Sequence, residues 1–123
     1  MIELTLTGET PSKKNSKRWI KRGQKTFLVP SDNYENWEIE KSFELVNIGS
    51  VKGCCTIEMT FFTGTKRRGD LDNKATSILD LLKKYEVIED DNWWVVSKLI
   101  LMFGGVDRKN PRVEVRLKEL LGE

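Results

Sequence analysis

Residues 70–92 read Asp70-Leu71-Asp72-Asn73-Lys74-Ala75-Thr76-Ser77-Ile78-Leu79-Asp80-Leu81-Leu82-Lys83-Lys84-Tyr85-Glu86-Val87-Ile88-Glu89-Asp90-Asp91-Asn92. Leu71, Ala75, Ile78, Leu79 and Leu82 fall at i, i+4, i+7, i+8 and i+11, one stripe of an amphipathic helix. Asp70 or Asp72 can cap its start, and Lys83-Lys84 suit the negative end of its dipole. The spacing predicts a helix over 72–84, then an acidic turn, Glu89-Asp90-Asp91-Asn92. Residues on either side are β-forming: 54–62 (Cys-Cys-Thr-Ile-Glu-Met-Thr-Phe-Phe) before it and Trp93 to Phe103 after it. A helix joining two such segments makes this a mixed α/β (α+β) chain.

Working outward, residues 2–7 alternate Ile/Leu/Leu with Glu/Thr/Thr and read as a half-buried strand. Trp19-Ile20 and Thr26 to Val29 flank Lys21-Arg22-Gly23-Gln24-Lys25, a hairpin with a basic tip. Ser31 or Asp32 caps a second helix to about residue 46, whose apolar positions Tyr34, Trp37, Phe43 and Val46 make a ragged stripe. Gly104-Gly105 reads as a turn and Arg112 to Leu117 as the last strand. The order β, hairpin, α, β, α, β, β predicts one mixed sheet with two main helices packed on it. At 123 residues the chain is one domain, 1–123, with a basic arm at about 11–29. No run of about 18 apolar residues marks a membrane span, and the N-terminus does not read as a signal peptide.

The net charge of +2 hides an asymmetry. Residues 1–30 carry seven Lys/Arg against two acids, a net of +5, and the remainder carry fourteen against seventeen, a net of −3. A basic arm on a nearly neutral domain suits a polyanion. Lys13, Lys14, Lys17, Arg18, Lys21 and Arg22 are the candidates in the arm; Lys66, Arg67 and Arg68 form a second basic run. Trp19, inside the arm, is a candidate for nucleic-acid contact. Trp93-Trp94 are read as one ring in the core and one at a subunit contact, and Phe61-Phe62 as core plus interface.

There is no histidine, so His bases, His triads and His metal ligands are excluded. Two cysteines, Cys54-Cys55, are adjacent; in a strand they point to opposite faces, cannot bridge, and are too few for a four-ligand zinc site. Unpaired thiols fit a reducing cytoplasm. The remaining chemistry lies with carboxylates. Asp70 and Asp72 at a helix start repel each other unless solvated or bridged by a cation, and the turn after the helix can bring Asp91 back toward them. Three such carboxylates, within roughly 3–6 Å of one another, make a hard-oxygen site for Mg²⁺ or Mn²⁺, and such a metal can activate water on a phosphodiester.

The run Arg68-Gly69-Asp70-Leu71-Asp72-Asn73, with Asp80-Leu81-Leu82, Val87-Ile88-Glu89-Asp90-Asp91-Asn92 and Val95-Val96, resembles the RusA family of Holliday junction resolvases. Pro11-Ser12-Lys13-Lys14-Asn15, Tyr34 to Trp37 and Lys98 resemble it too, so the likeness spans about residues 3–117. The resemblance implies a small homodimeric endonuclease, dependent on Mg²⁺ or Mn²⁺ and without an organic cofactor, that cuts four-way DNA junctions by paired incisions. It implies Asp70, Asp72 and Asp91 as metal-binding catalytic carboxylates, in the cytoplasm of a bacterium or a phage-infected host. The family usually carries a lysine four residues after the second Asp of the motif; here that place is Thr76. Thr76 lies about 40° from Asp72 around a helix and Lys74 about 160°, so the missing charge is expected from Lys98, Lys66 or Arg68. Three other readings stand beside this one. They are a nuclease of flaps or forks, a branched-DNA-binding protein with weakened catalysis, and a protein–protein adaptor with a merely solvated acidic turn.

Overall fold

The computed structural model describes residues 1–120; the last three positions of the expected domain lie outside them. Strands β1 (Ile2–Thr7), β4 (Cys55–Thr63), β5 (Val96–Val106) and β6 (Arg112–Glu119) form one sheet in the order β1-β6-β4-β5. Only β4 and β5 run parallel. Parallel neighbours need a long crossover, which helix α2 (Leu71–Lys84) supplies. Strands β2 (Lys17–Arg22) and β3 (Lys25–Pro30) form a separate antiparallel hairpin, followed by helix α1 (Asp32–Glu44). The fold is the expected mixed sheet with two helices.

Alternation decides which face of the sheet is covered. Leu4 and Leu6, Ile57 and Met59, and Val113 and Val115 point one way and are buried. Ala75, Ile78 and Leu82 of α2 join them in the core. The opposite face is polar, with Thr5, Glu58, Thr60 and Glu114 along it.

Two boundaries differ from the sequence reading. The Gly104-Gly105 pair is no turn: β5 runs through it to Val106, and a bulge pairs Phe61 with Phe103 but Phe62 with Gly105. A Cβ on Gly104 would stand 2.5 Å from the Phe62 ring, which itself stacks on the Arg112 guanidinium at 3.9 Å. Gly104→Ala is therefore expected to cost about 1–3 kcal/mol, read as a lowered urea midpoint. Strand β5 begins at Val96 instead of Trp93, because the Asn92 carbonyl accepts from Val95 N–H (3.0 Å) and Val96 N–H (2.8 Å) in a turn. Both Trp93 and Trp94 are consequently exposed, at 78% and 80%, so neither is a core residue.

Helix α1 starts as expected, with Ser31 Oγ accepting from Tyr34 N–H. Its inner face is Tyr34, Trp37, Glu38, Lys41 and Leu45, while Phe43 and Val46 point to solvent. The inner polar groups are paired: Lys41 Nζ donates to Thr7 Oγ1 and to Glu44, and Lys84 Nζ lies 3.3 Å from Glu38. Burial alone pushes the Glu44 carboxyl up, but hydrogen bonds from Lys41 and Thr7 outweigh it and hold it below its ordinary value. A depressed carboxylate stabilises the fold above its unfolded pKa, and that contribution disappears as pH falls through the folded value. Glu44→Gln is expected to flatten the acid limb of stability, from the ordinary carboxylate range downward, measured by urea unfolding at a series of acid pH values. The Tyr34 hydroxyl, buried beside this network, is pushed up to about 12 by desolvation.

Candidate active site

Asp70 sits at the N-cap of α2 in extended backbone, yet its side chain makes no capping bond. An aspartate in this place ordinarily spends its carboxylate on the first-turn N–H groups. Here Oδ2 instead accepts from Asn73 Nδ2 at 3.3 Å, and the residue is exposed. Asp72, in the first helical turn, is exposed as well. Two solvated carboxylates thus flank Leu71, at the end of a helix whose dipole favours phosphate.

Asp70 lines a groove of about 850 Å³ together with Arg67, Arg68, Lys74 and Arg112. Glu9 shapes one wall, accepting from Thr63 Oγ1 at 3.0 Å and from Gly64 N–H, which fixes the exit of β4. Lys74 points away from Asp72 around the helix, but it lies one turn after Asp70, and its N–H donates to the Asp70 carbonyl at 3.1 Å. Its side chain runs beside Gly69, where an added Cβ would meet Lys74 Cε at 3.4 Å. The ammonium donates to the Thr10 carbonyl. The signal that finds it is the i+4 spacing from the first aspartate instead of the second.

The other expected residues lie elsewhere. Asp91 belongs to the turn before β5, at the opposite end of α2, where Lys83 Nζ stands 3.1 Å from Asp90 and 3.8 Å from Asp91. The rise from Asp72 to Lys83 is about 16 Å. The Asp90 carboxyl is held low, by the Asp91 N–H first and by Lys83 next, and Asp90 in turn raises the Lys83 ammonium. Among the described residues no three acidic or thiol side chains gather closely enough in one chain to hold a metal ion. Lys98 pairs with Thr56 and shares its face of the sheet, the one turned away from α2. Thr76 turns its hydroxyl onto its own helix, donating to the Asp72 carbonyl at 3.0 Å.

The basic arm divides by role. Lys13 is anchored to α2: its Nζ lies 2.7 Å from Asp80 and its N–H donates to Ser77 Oγ. Arg18 pairs with Asp32 at 3.1 Å. Lys14, Lys17, Lys21 and Arg22 are exposed, as are Lys66, Arg67 and Arg68. The hairpin turns at Gly23, whose φ of 63° suits glycine. Trp19 projects from it, 69% exposed, with Lys17 and Lys21 at i−2 and i+2 on the same face.

No helix among the described residues is long and apolar enough to cross a membrane. Comparison with curated proteins gives no match. The sequence does match a family defined as endodeoxyribonuclease RusA over residues 9–118, from the start of the arm through β6. Spanning the uncapped Asp70, Asp72 and the groove beside them, that match shows that this chain belongs to the RusA endodeoxyribonuclease family.

Proposed function

We propose that the protein is a metal-dependent endonuclease that cuts four-way (Holliday) DNA junctions by paired phosphodiester hydrolysis. It would act as a homodimer, in recombination or repair, in the cytoplasm of a bacterium or a phage-infected cell. The observation that carries this reading is the uncapped Asp70, in one groove with Arg67, Arg68 and Lys74, with the exposed Asp72 two residues further on in the first turn of α2. Mg²⁺ is commonly held by one or two carboxylates plus substrate phosphates, and the hard oxygens of Asp70 and Asp72 fit that donor set. When bound, such an ion supplies charge stabilisation and a more acidic water. The chain's own groups do the rest. Arg67 and Arg68 hold the flanking phosphates, and the α2 N-terminus favours the anionic backbone.

Lys74 takes the place left by Thr76: its side chain lines the Asp70 groove, its ammonium is held at the Thr10 carbonyl that also lines it, and from there it can meet charge that develops on the phosphate. Lys74→Met is expected to lower kcat by about 10²–10³ with little change in junction affinity, and Lys74→Arg to restore part of it. Lys98→Ala, on the far face of the sheet, is the comparison.

The test is a labelled four-way junction incubated with Mg²⁺, with Mn²⁺ and with EDTA. Paired cuts with either metal and none with EDTA are expected; cutting that persists in EDTA sinks the metal-dependent reading. Flaps and forks in the same panel decide whether the substrate is the four-way junction in particular. One observation favours a second reading, a branched-DNA-binding protein with weakened catalysis: Thr76 offers a hydroxyl already engaged with its own helix. Salt-sensitive junction binding without cleavage would select it.

A further inference from the structure

Trp19 and Leu28 stand opposite each other across the β2–β3 hairpin, so their side chains share one face. They are 69% and 49% exposed, and the hairpin pairs with no other strand among the described residues. Its base is nevertheless fixed. Ser31 N–H donates to the Ser16 carbonyl at 2.9 Å, and Arg18 pairs with Asp32 of α1. Asn15, two residues before β2, lines the same groove as Asp70. The Cα atoms of Asn15 and Trp19 are at most about 14 Å apart, the reach of four extended residues. The Trp19–Leu28 pair is thus an apolar ledge on a fixed mount beside the candidate site.

The rim of the ledge tells what covers it. Residues 10–31 carry seven Lys/Arg and no Asp or Glu. On the ledge's own face, Lys17 lies opposite Pro30 and Lys21 opposite Thr26, one lysine on each side of Trp19. Protein interfaces are depleted of lysine where aromatic residues anchor them. Surfaces for single-stranded nucleic acid, by contrast, combine cations with aromatic platforms. The occupant that fits is therefore a nucleic-acid strand. An indole beside a leucine has one N–H to offer a groove edge, but a flat apolar surface to offer the face of a base. Within a duplex arm those faces are hidden by stacking. They are open where the stack ends, at the branch point.

We propose that Trp19 and Leu28 seat the exposed base pair at the branch point, and so make the protein select branched DNA over duplex. The proposal deepens the junction-cutting reading and rests on it. Lys17 and Lys21 neutralise phosphates on either side of the seated base and carry no sequence information. Apolar wedges at DNA kinks act in the same way, taking the place of a lost stacking partner. At about 3.4 Å per nucleotide along one strand, the reach from Asn15 sets the seat within about four nucleotides of the groove.

The test is binding in EDTA, so that cutting plays no part. A labelled four-way junction and a duplex of the same arm sequence are titrated with the full-length wild type, Trp19→Phe and Trp19→Thr. Threonine keeps the strand preference of the position and removes the ring. Trp19→Thr is expected to bind the junction about 5–150-fold more weakly and the duplex as before. Its slope of log K against log salt should be unchanged, because no phosphate contact is lost. Trp19→Phe should keep most of the preference. A second readout uses the wild type alone: iodouracil at the branch point should photocross-link to Trp19, and iodouracil in mid-arm should not. A Trp19→Thr chain that keeps the full preference for the junction, or weakens on junction and duplex alike, overturns the seat. So does a wild-type cross-link to Trp19 from mid-arm with none from the branch point, whatever the variants do. A changed oligomeric state in Trp19→Thr with junction preference intact would give the ledge to a protein partner instead. A wild type that holds duplex as tightly as the junction is a different failure, that of the junction-cutting reading itself.

Discussion

Asp72→Asn is expected to lower junction cleavage by at least about 10²–10³-fold while junction binding stays equal or tightens. The amide keeps the shape of the side chain and removes its charge. A neutral amide is a poor ligand for a hard divalent cation beside a phosphate, so the chemistry is lost. The same change removes repulsion between the carboxylate and the DNA backbone, so affinity does not fall. Folding is not at risk, since Asp72 is exposed. All the helix loses is an acid in its first turn, worth about 0.3–1 kcal/mol. Asp70→Asn should behave alike, because Asn serves as an N-cap about as well as Asp. Cleavage and binding measured on the same junction, with unfolding as a control, separate the three effects. Unchanged turnover in Asp72→Asn would end the assignment of this end of α2 as the site.

How far these features are legible in the sequence depends on how local their causes are. Helix α2 is readable because its core stripe, its acidic start and its basic end all act within a turn or two. The acidic turn is legible as far as Asn92, but its continuation through Trp93 and Trp94 is not: these look like strand residues, while the decisive groups are backbone N–H donors of Val95 and Val96. Gly104-Gly105 looks like a turn, but the bulge exists to let the Phe62 ring lie over Gly104, a contact between neighbouring strands. Helix α1 defeats hydrophobic periodicity in a different way: its inward face carries Glu38 and Lys41, tolerated there because Lys84 of α2 pairs with Glu38, and Thr7 of β1 and Glu44, one turn further along α1, pair with Lys41. At the candidate site, the aspartates at the start of α2 follow from spacing. The position of Asp91 does not, because a helix of fourteen residues followed by a short turn returns the chain to the far end of the sheet instead of to its own start.

Replacing Lys17, Lys21 and Arg22 together with Gln is expected to weaken junction binding by about 10²-fold near 0.1 M salt and to lower the slope of log K against log salt by about 2.7. None of the three has an acidic partner among the described residues, so their charge is free to displace counterions from phosphate. They stand on strand β2 of a hairpin exposed on both faces, which suits backbone neutralisation along a DNA arm and gives no depth for reading base edges. The weakening should therefore be uniform across arm sequences. Lys13 separates charge from architecture. Its ammonium already neutralises Asp80 and its N–H is bonded to Ser77. Lys13→Gln should therefore leave the salt slope nearly unchanged and instead loosen the N-terminal segment from α2, visible as faster amide exchange at residues 10–15. A triple variant that binds as tightly, with an unaltered slope, would reduce the hairpin to a solvated projection and move the DNA contact to Lys66, Arg67 and Arg68 beside the groove.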